Sequence, residues 1–324
     1  MESRDSFFDV LKFFCILLVI YFHVIGSFDY NGGSPYISNF IVGMNMPLFF
    51  IISGYFAAQT IENGEWRKLL RRLFSYVWPI MVVSGAFALL AVSFGLNGSN
   101  QGLFAYAARN ALATWFLWCL AICFSLVFLC QRWHPLLCWG CMVAILPLLS
   151  KPTQMNSVRA MLPFFVFGAF VLRRWAIWKI WYCGSTCLFL YLLLVVFQGN
   201  IWQNGLSFYS EQTTWSFFLQ HPVSIFLYLL RLLNGIMGSI GMMWLLHEGM
   251  KRLCHIRLCA PFGKTTLWVY ILHAWLLARV VDLGWYNQSF FCTIAWVAIL
   301  FTICHVIGSM VKAGTGVVGE RIKC

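Results

Sequence analysis

The chain contains few charged residues: Asp, Glu, Lys and Arg together make up only 10% of its 324 residues, and just 10 of them are acidic. A typical soluble domain has about a quarter of its residues charged. Hydrophobic residues instead make up 61% of the chain. The composition excludes an ordinary soluble protein and predicts an all-α polytopic membrane protein, in which helices satisfy the backbone hydrogen bonds inside the bilayer.

The 13 cysteines lack the spacing of a metal site. The one Cys-x-x-Cys pair, Cys138 and Cys141, lies within an apolar segment, which makes a redox or metal role unfavourable there. The first hydrophobic run is too long for a signal peptide, and no small-residue cleavage site follows it. We therefore expect no metal site, and we expect the first run to be retained as a transmembrane helix.

Ten hydrophobic segments are separated by polar loops, and no internal repeat or soluble domain is evident. The predicted spans are 7–27, 37–59, 73–95, 112–130, 136–149, 160–172, 180–197, 222–246, 265–283 and 290–311. The fifth is short for a transmembrane helix, which usually needs about 20 residues. We expect a single membrane domain over 1–324.

Basic residues lie almost entirely on one side of this arrangement. Sixteen Lys and Arg residues fall in the termini and loops of one side, and three, Arg109, Lys151 and Arg159, fall on the other. Cytoplasmic loops are enriched in Lys and Arg, so both termini are predicted to be cytoplasmic. The net charge of +12 then follows from topology, and we expect no nucleic-acid partner.

Lys12 and His23 are ionisable residues within the first span. They are eleven residues apart, so at about 100° and about 1.5 Å per residue they share one helix face and lie roughly 16 Å apart along the axis. Asp9, three residues before Lys12, can pair with that cation. Ionisable groups inside a bilayer usually mark a site. The alternative is that Lys12 extends to the headgroups and His23 bonds to a neighbouring helix.

The densest basic cluster contains Arg67, Lys68, Arg71 and Arg72, in a loop predicted to be cytoplasmic. Such a cluster suits a phosphorylated donor, although ordinary positive-inside charge explains it equally well when it is taken alone. An imidazole is suited to act as general base for a hydroxyl near neutral pH. Together with a polar loop on the outer side, these features favour group transfer across the bilayer.

Further polar residues lie inside the later spans. Arg231 is in the middle of the eighth span, His273 is in the ninth and His305 is in the tenth. No acidic partner for Arg231 is evident within a span outside the first, which favours an anionic ligand, water or an exposed cavity over a buried ion pair. For His273 and His305, a hydrogen bond between helices explains the residue as well as catalysis does.

The order of these motifs resembles the acyltransferase-3 family of bacterial inner-membrane proteins that O-acylate surface glycans. Lys12 and His23 match the family's Arg/Lys-x10-His pattern, and Asp9 stands in its usual opening. Lys68 and Arg71 match its Arg-x-x-Arg motif, with Lys in the first place. Other matching segments are 46–55, 115–118, 164–168 and 262–273, where Thr266 replaces the usual Ser. The resemblance covers the whole chain in order and is closest to short members without a hydrolase-like domain.

The resemblance implies an integral membrane O-acyltransferase, which we expect to be an O-acetyltransferase, in the bacterial inner membrane. It implies acyl-CoA as the cytoplasmic donor substrate, no tightly bound cofactor, and a sugar hydroxyl of a lipid-linked or polymeric glycan as acceptor. By the resemblance His23 is catalytic, deprotonating the acceptor hydroxyl or an intermediate carrier. Residues assigned to donor binding are Lys12, Lys68, Arg71 and Arg72, and residues assigned to a supporting role are Asp9, Arg231 and His273.

A multi-span transporter or flippase for a glycan or an anionic solute is the alternative from another class. Proline-containing helices and the buried Arg231 and His273 suit it. The absence of a repeat and the position of the basic cluster argue against it. A non-catalytic scaffold would leave the Lys12–His23 pair unexplained.

Overall fold

The computed structural model describes residues 6–27, 35–93, 103–130, 153–173, 177–197, 222–282 and 290–321. Within these ranges the secondary structure is entirely helical. The first half contains α1 (Ser6–Ser27), α2 (Pro35–Glu62), α3 (Trp66–Ser93), α4 (Leu103–Ala113) and α5 (Trp115–Leu129). The second half contains α6 (Thr153–Val166), a π-helical segment (Phe167–Leu172), α7 (Ile177–Phe197), α8 (Pro222–Arg252), a 3-10 segment (Cys254–Cys259), α9 (Ala260–Gly263), α10 (Thr266–Asp282) and α11 (Phe290–Arg321).

Five helices of the described residues are long and apolar enough to cross a membrane. Their apolar stretches are Ser6–Ile25, Tyr36–Glu62, Trp66–Leu90, Tyr228–Arg252 and Cys292–Val311. Shorter apolar helices are Trp115–Leu129, Ala160–Leu172, Tyr182–Phe197 and Thr266–Ala278. The protein is therefore a multi-pass helical membrane protein, as its composition predicted. The count of ten spans and the cytoplasmic termini stay predictions.

Several helices extend beyond the hydrophobic segments that predicted them. Helix α3 begins at Trp66, not at residue 73, and α11 continues to Arg321, not to residue 311. Hydrophobicity marks the part of a helix suited to lipid, whereas the hydrogen-bonded backbone can continue beyond it. In α3 the added turns contain Arg, Lys and Leu, which favour helix. The basic residues 67–72 were expected in a loop, and this was wrong because they form the first turns of α3. The predicted fifth span (136–149), Cys138, Cys141 and the polar outer loop near 199–215 lie outside the described residues.

The predicted fourth span (112–130) instead begins at a break between α4 and α5. The Ala111 carbonyl accepts hydrogen bonds there from the Thr114 amide at 3.2 Å and from the Thr114 hydroxyl at 2.6 Å. The Trp118 indole Nε1–H donates to the same oxygen at 2.8 Å. A continuous helix would pair this carbonyl with the main-chain amide four residues later. At the break, the Thr114 amide and two side chains bond to it instead.

The described helices belong to two compact units. One unit comprises Met1–Ile41 and Leu245–Cys324, and the other comprises Val42–Trp244. In the second unit, glycines allow helices to approach at backbone distance. A Cβ added to Gly54 of α2 would fall on the Phe165 carbonyl oxygen, and one added to Gly168 would fall on the Ile51 carbonyl oxygen. The close contact of Gly54 is therefore with the segment that contains Phe165 and Gly168.

The fully buried Tyr191 of α7 occupies a second such contact in the same unit. A Cβ on Gly43 of α2 would lie 2.7 Å from its hydroxyl oxygen, and a Cβ on Gly238 of α8 would lie 2.7 Å from its ring carbon Cε2. Two glycines on different helices thus make room for one phenol ring. Small residues at helix contacts are characteristic of membrane proteins, because lipid does not drive apolar side chains together.

We predict that Gly168→Ala destabilises the protein by about 1–3 kcal/mol, because the added methyl group overlaps the Ile51 backbone and the helices must separate. Thermal unfolding of the detergent-purified protein measures the effect. Gly85→Ala is the matched control, since nothing lies within 4 Å of the position of its Cβ. Equal melting temperatures for the two variants would contradict the close contact.

Candidate active site

Helix α1 is the central element of the first unit. It packs against the 3-10 segment, α9, α10 and α11. The closest approach is to α9, since a Cβ on Gly263 would fall on the backbone carbonyl oxygen of Asp9. The backbone of α9 is therefore held directly against the first turns of α1, beside the residues that the sequence singled out.

Asp9 and Lys12 form the ion pair that their spacing predicted. Lys12 Nζ lies 3.6 Å from Asp9 Oδ1, and the side chains are 21% and 3% exposed, respectively. A carboxylate buried to this degree requires a compensating cation or hydrogen-bond donors. Lys12 therefore stabilises Asp9, a role that is separate from the predicted donor binding.

His23 lies near the end of α1, and its side chain is more exposed than Lys12. Its ring centroid is 5.2 Å from the ring centroid of His273 of α10, with an interplanar angle of 49°. His273 is 1% exposed. The sequence marked both histidines without placing them together, and the packing of α10 against α1 makes them neighbours.

The hydrogen bond of His273 indicates which of its ring nitrogens carries the proton. Nδ1 lies 3.2 Å from the Val269 carbonyl oxygen of the preceding turn. A carbonyl oxygen only accepts, so Nδ1–H is the donor and a neutral ring has its lone pair on Nε2. Nε2 is buried and has no hydrogen-bond partner among the described residues. A buried acceptor without a partner costs about 1–3 kcal/mol.

His305 of α11 has a different environment in the same unit. Its Nδ1 lies 2.7 Å from the Thr265 hydroxyl oxygen, and that hydroxyl also lies 3.1 Å from the Phe262 carbonyl oxygen as donor. The ring also packs against Phe262 and Phe301, with centroid separations of 4.8 and 5.9 Å. His305 therefore has a hydrogen bond to the turn between α9 and α10, which favours the structural one of the two alternatives that the sequence left open.

The basic residues of α3 differ in their contacts. Lys68 Nζ lies 2.8 Å from Glu65 Oε2, and the Arg72 guanidinium carbon lies 5.6 Å from the centroid of the Phe124 ring. Hydrogen bonds from Lys68 and Asn63 lower the pKa of Glu65, so this carboxylate stays ionised at neutral pH. Arg71 is exposed and pairs with no acidic side chain among the described residues. Of the cations predicted to bind the acyl-CoA donor, Arg71 is therefore the one best placed to bind an anion.

Arg231 lies in α8 with a half-buried side chain, one turn before the fully buried Asn234. It belongs to the second unit, so its supporting role stays a prediction. Within the described ranges, no group of three or more His, Cys, Asp or Glu side chains is placed to hold a metal ion. The chemistry available at the histidine pair is proton transfer by a neutral imidazole.

These observations define a multi-pass helical membrane protein. Its first helix carries a buried ion pair and a histidine whose ring contacts a second histidine on α10. Residues 5–312 match the family model described as "Acyltransferase domain" of the acyltransferase-3 type. The chain therefore belongs to the acyltransferase-3 family, which confirms the resemblance read from its motifs.

One curated protein similar to this chain is Nodulation protein NolL of Sinorhizobium fredii (strain NBRC 101917 / NGR234). The two are 29% identical over 178 residues, which cover 52% of this chain and 48% of that protein. The match thus spans about half the length of the relative. No solved structure matches the chain.

We predict that Lys12→Met destabilises the protein by about 1–3 kcal/mol, because it removes a cation from the buried Asp9. Lys12→Arg should retain most of the stability. Thermal unfolding of both variants, with and without Asp9→Asn, forms a double-mutant cycle. If Lys12→Met cost the same in the Asp9→Asn background, the ion pair would not be the cause.

Proposed function

We propose that the protein is an integral membrane O-acyltransferase that moves an acyl group, an acetyl group in the simplest case, from acyl-CoA to a hydroxyl of a cell-surface glycan or its lipid-linked precursor. The observation that carries the proposal is the His23–His273 pair on the two helices that bear the family's first and last motifs. The family match supports the reaction class. The glycan acceptor rests on the resemblance of the motifs.

The reaction requires one base at the acceptor hydroxyl. His23 accepts the hydroxyl proton while the oxygen bonds to the thioester carbonyl carbon, and the carbon–sulfur bond then breaks. The proton on His23 passes to the departing CoA thiolate. The more exposed of the two imidazoles is suited to this step, because the acceptor must reach it, whereas His273 is buried.

The donor carries phosphate groups, and we assign their binding to the first turns of α3. Arg71 is the principal contact, since Lys68 is already paired with Glu65. Arg72 contributes charge beside Phe124. With both termini in the cytoplasm, α3 begins on the cytoplasmic side of the bacterial inner membrane, where acyl-CoA is available.

We predict that His23→Ala abolishes acyl transfer. Membranes with matched amounts of wild type or variant are incubated with acetyl-CoA labelled in the acetyl group and with surface glycan, and label in the glycan is measured. Wild type should transfer label and release CoA only with an acceptor present. Equal labelling by the variant would exclude His23 as the base. Substrate flux without CoA release would instead support a transporter.

We predict that Arg71→Met raises the KM for acyl-CoA about 10- to 150-fold, because a charge-assisted contact to phosphate contributes about 1.5–3 kcal/mol. Lys68→Met should raise it less, since Glu65 competes for that cation. Glu65→Gln is a further test: it removes the ion-pair partner of Lys68, so Lys68 can bind phosphate and the KM for acyl-CoA should fall. A larger effect of Lys68→Met than of Arg71→Met would contradict the assignment.

A further inference from the structure

We infer that His273 is a positioning residue for His23: its Nε2 accepts a hydrogen bond from one ring N–H of His23 and so determines which His23 nitrogen is free to take the substrate proton. This inference rests on the proposed function and deepens it. The protein would then use a neutral imidazole to orient its base.

The first argument is the unused acceptor. His273 Nδ1 is committed to the Val269 carbonyl oxygen, which leaves Nε2 as the lone-pair nitrogen. That atom is buried without a partner in the described part of the chain. Because an unpaired buried acceptor is unfavourable, Nε2 favours any donor that comes within reach.

The second argument is that the N–H of His23 is a suitable donor close by. The two ring centroids are 5.2 Å apart, and the interplanar angle of 49° is too large for face-to-face stacking of the rings. Imidazole nitrogens lie about 1.1 Å from the ring centroid, so a centroid separation of 5.2 Å allows a hydrogen bond of about 3 Å when one nitrogen of each ring points along the line between the centroids. The last side-chain torsion of His23 has a broad energy well, so its ring can turn toward that orientation. The His273 ring is fixed by its hydrogen bond to the Val269 carbonyl oxygen and by the Tyr270 ring, whose centroid is 5.7 Å away. We therefore expect the His23 ring to be the one that rotates.

The consequence for catalysis is a defined tautomer. When one nitrogen of His23 donates to His273, the other carries the lone pair that accepts the proton of the acceptor hydroxyl. Once His23 is protonated, its bond to Nε2 becomes charge-assisted and stronger, so His273 stabilises the cation formed in the reaction. His273 keeps its own Nδ1 proton throughout, and the substrate proton leaves His23 with CoA.

Two amide substitutions separate this role from simple packing. In His273→Gln, the side-chain oxygen reaches the position of Nε2 and accepts from His23. In His273→Asn, the shorter amide reaches only the position of Nδ1, so it donates to Val269 but presents no acceptor to His23. We expect His273→Gln to retain kcat within about tenfold of wild type, and His273→Asn to lose about 100-fold in kcat with little change in either KM.

The labelled acetyl-transfer assay measures both variants, beside their thermal unfolding. The same two substitutions at His305, which bonds Thr265, are the matched control and should not differ in this way.

Equal kcat for His273→Gln and His273→Asn, whether both are active or both inactive, would overturn the inference. So would losses that follow thermal stability alone. The proposed function fails in a different way: either wild type transfers no label, or His23→Ala remains active. The two failures are therefore distinguishable in the same set of measurements.

Discussion

The ion pair between Asp9 and Lys12 is the constraint around which the first unit is arranged. A carboxylate that is only 3% exposed cannot lie in an apolar setting without compensation, and Lys12 is 3.6 Å away. The contact of Gly263 with the Asp9 backbone holds α9 against the same turn. Polar pairing and a close backbone contact together set the position of α1, which carries His23 four turns further along.

Pairing of buried polar groups also distinguishes His305 from His273. One ring nitrogen of His305 bonds to Thr265, in the turn between α9 and α10. His273 instead bonds to Val269 of its own helix, and its Nε2 has no partner in the described residues. Where lipid excludes water, an acceptor without a partner is unfavourable. In the proposed arrangement, the neighbouring ring of His23 supplies the donor.

Much of the candidate site was predictable because it is local. The spacing of Asp9, Lys12 and His23 follows from helix periodicity alone, and the ion pair within one turn needs no other element. The close contact of Gly54 with Phe165, by contrast, joins helices that are distant in sequence and could not be predicted from spacing. The loop expected at 67–72 was wrong because hydropathy detects the lipid-facing part of a helix and not the amphipathic turns that precede it.

The sequence by itself determined that this is a helical membrane protein, which residues are costly in lipid, and which family its motifs match. These depend on composition and on spacings within single helices. Only the tertiary structure decided that His23 meets His273, that Lys68 is occupied by Glu65 while Arg71 is not paired in the described chain, and that Gly263 lies on Asp9. The reason is physical: the faces on which helices pack depend on side chains distant in sequence, and no periodicity within one helix encodes its partner.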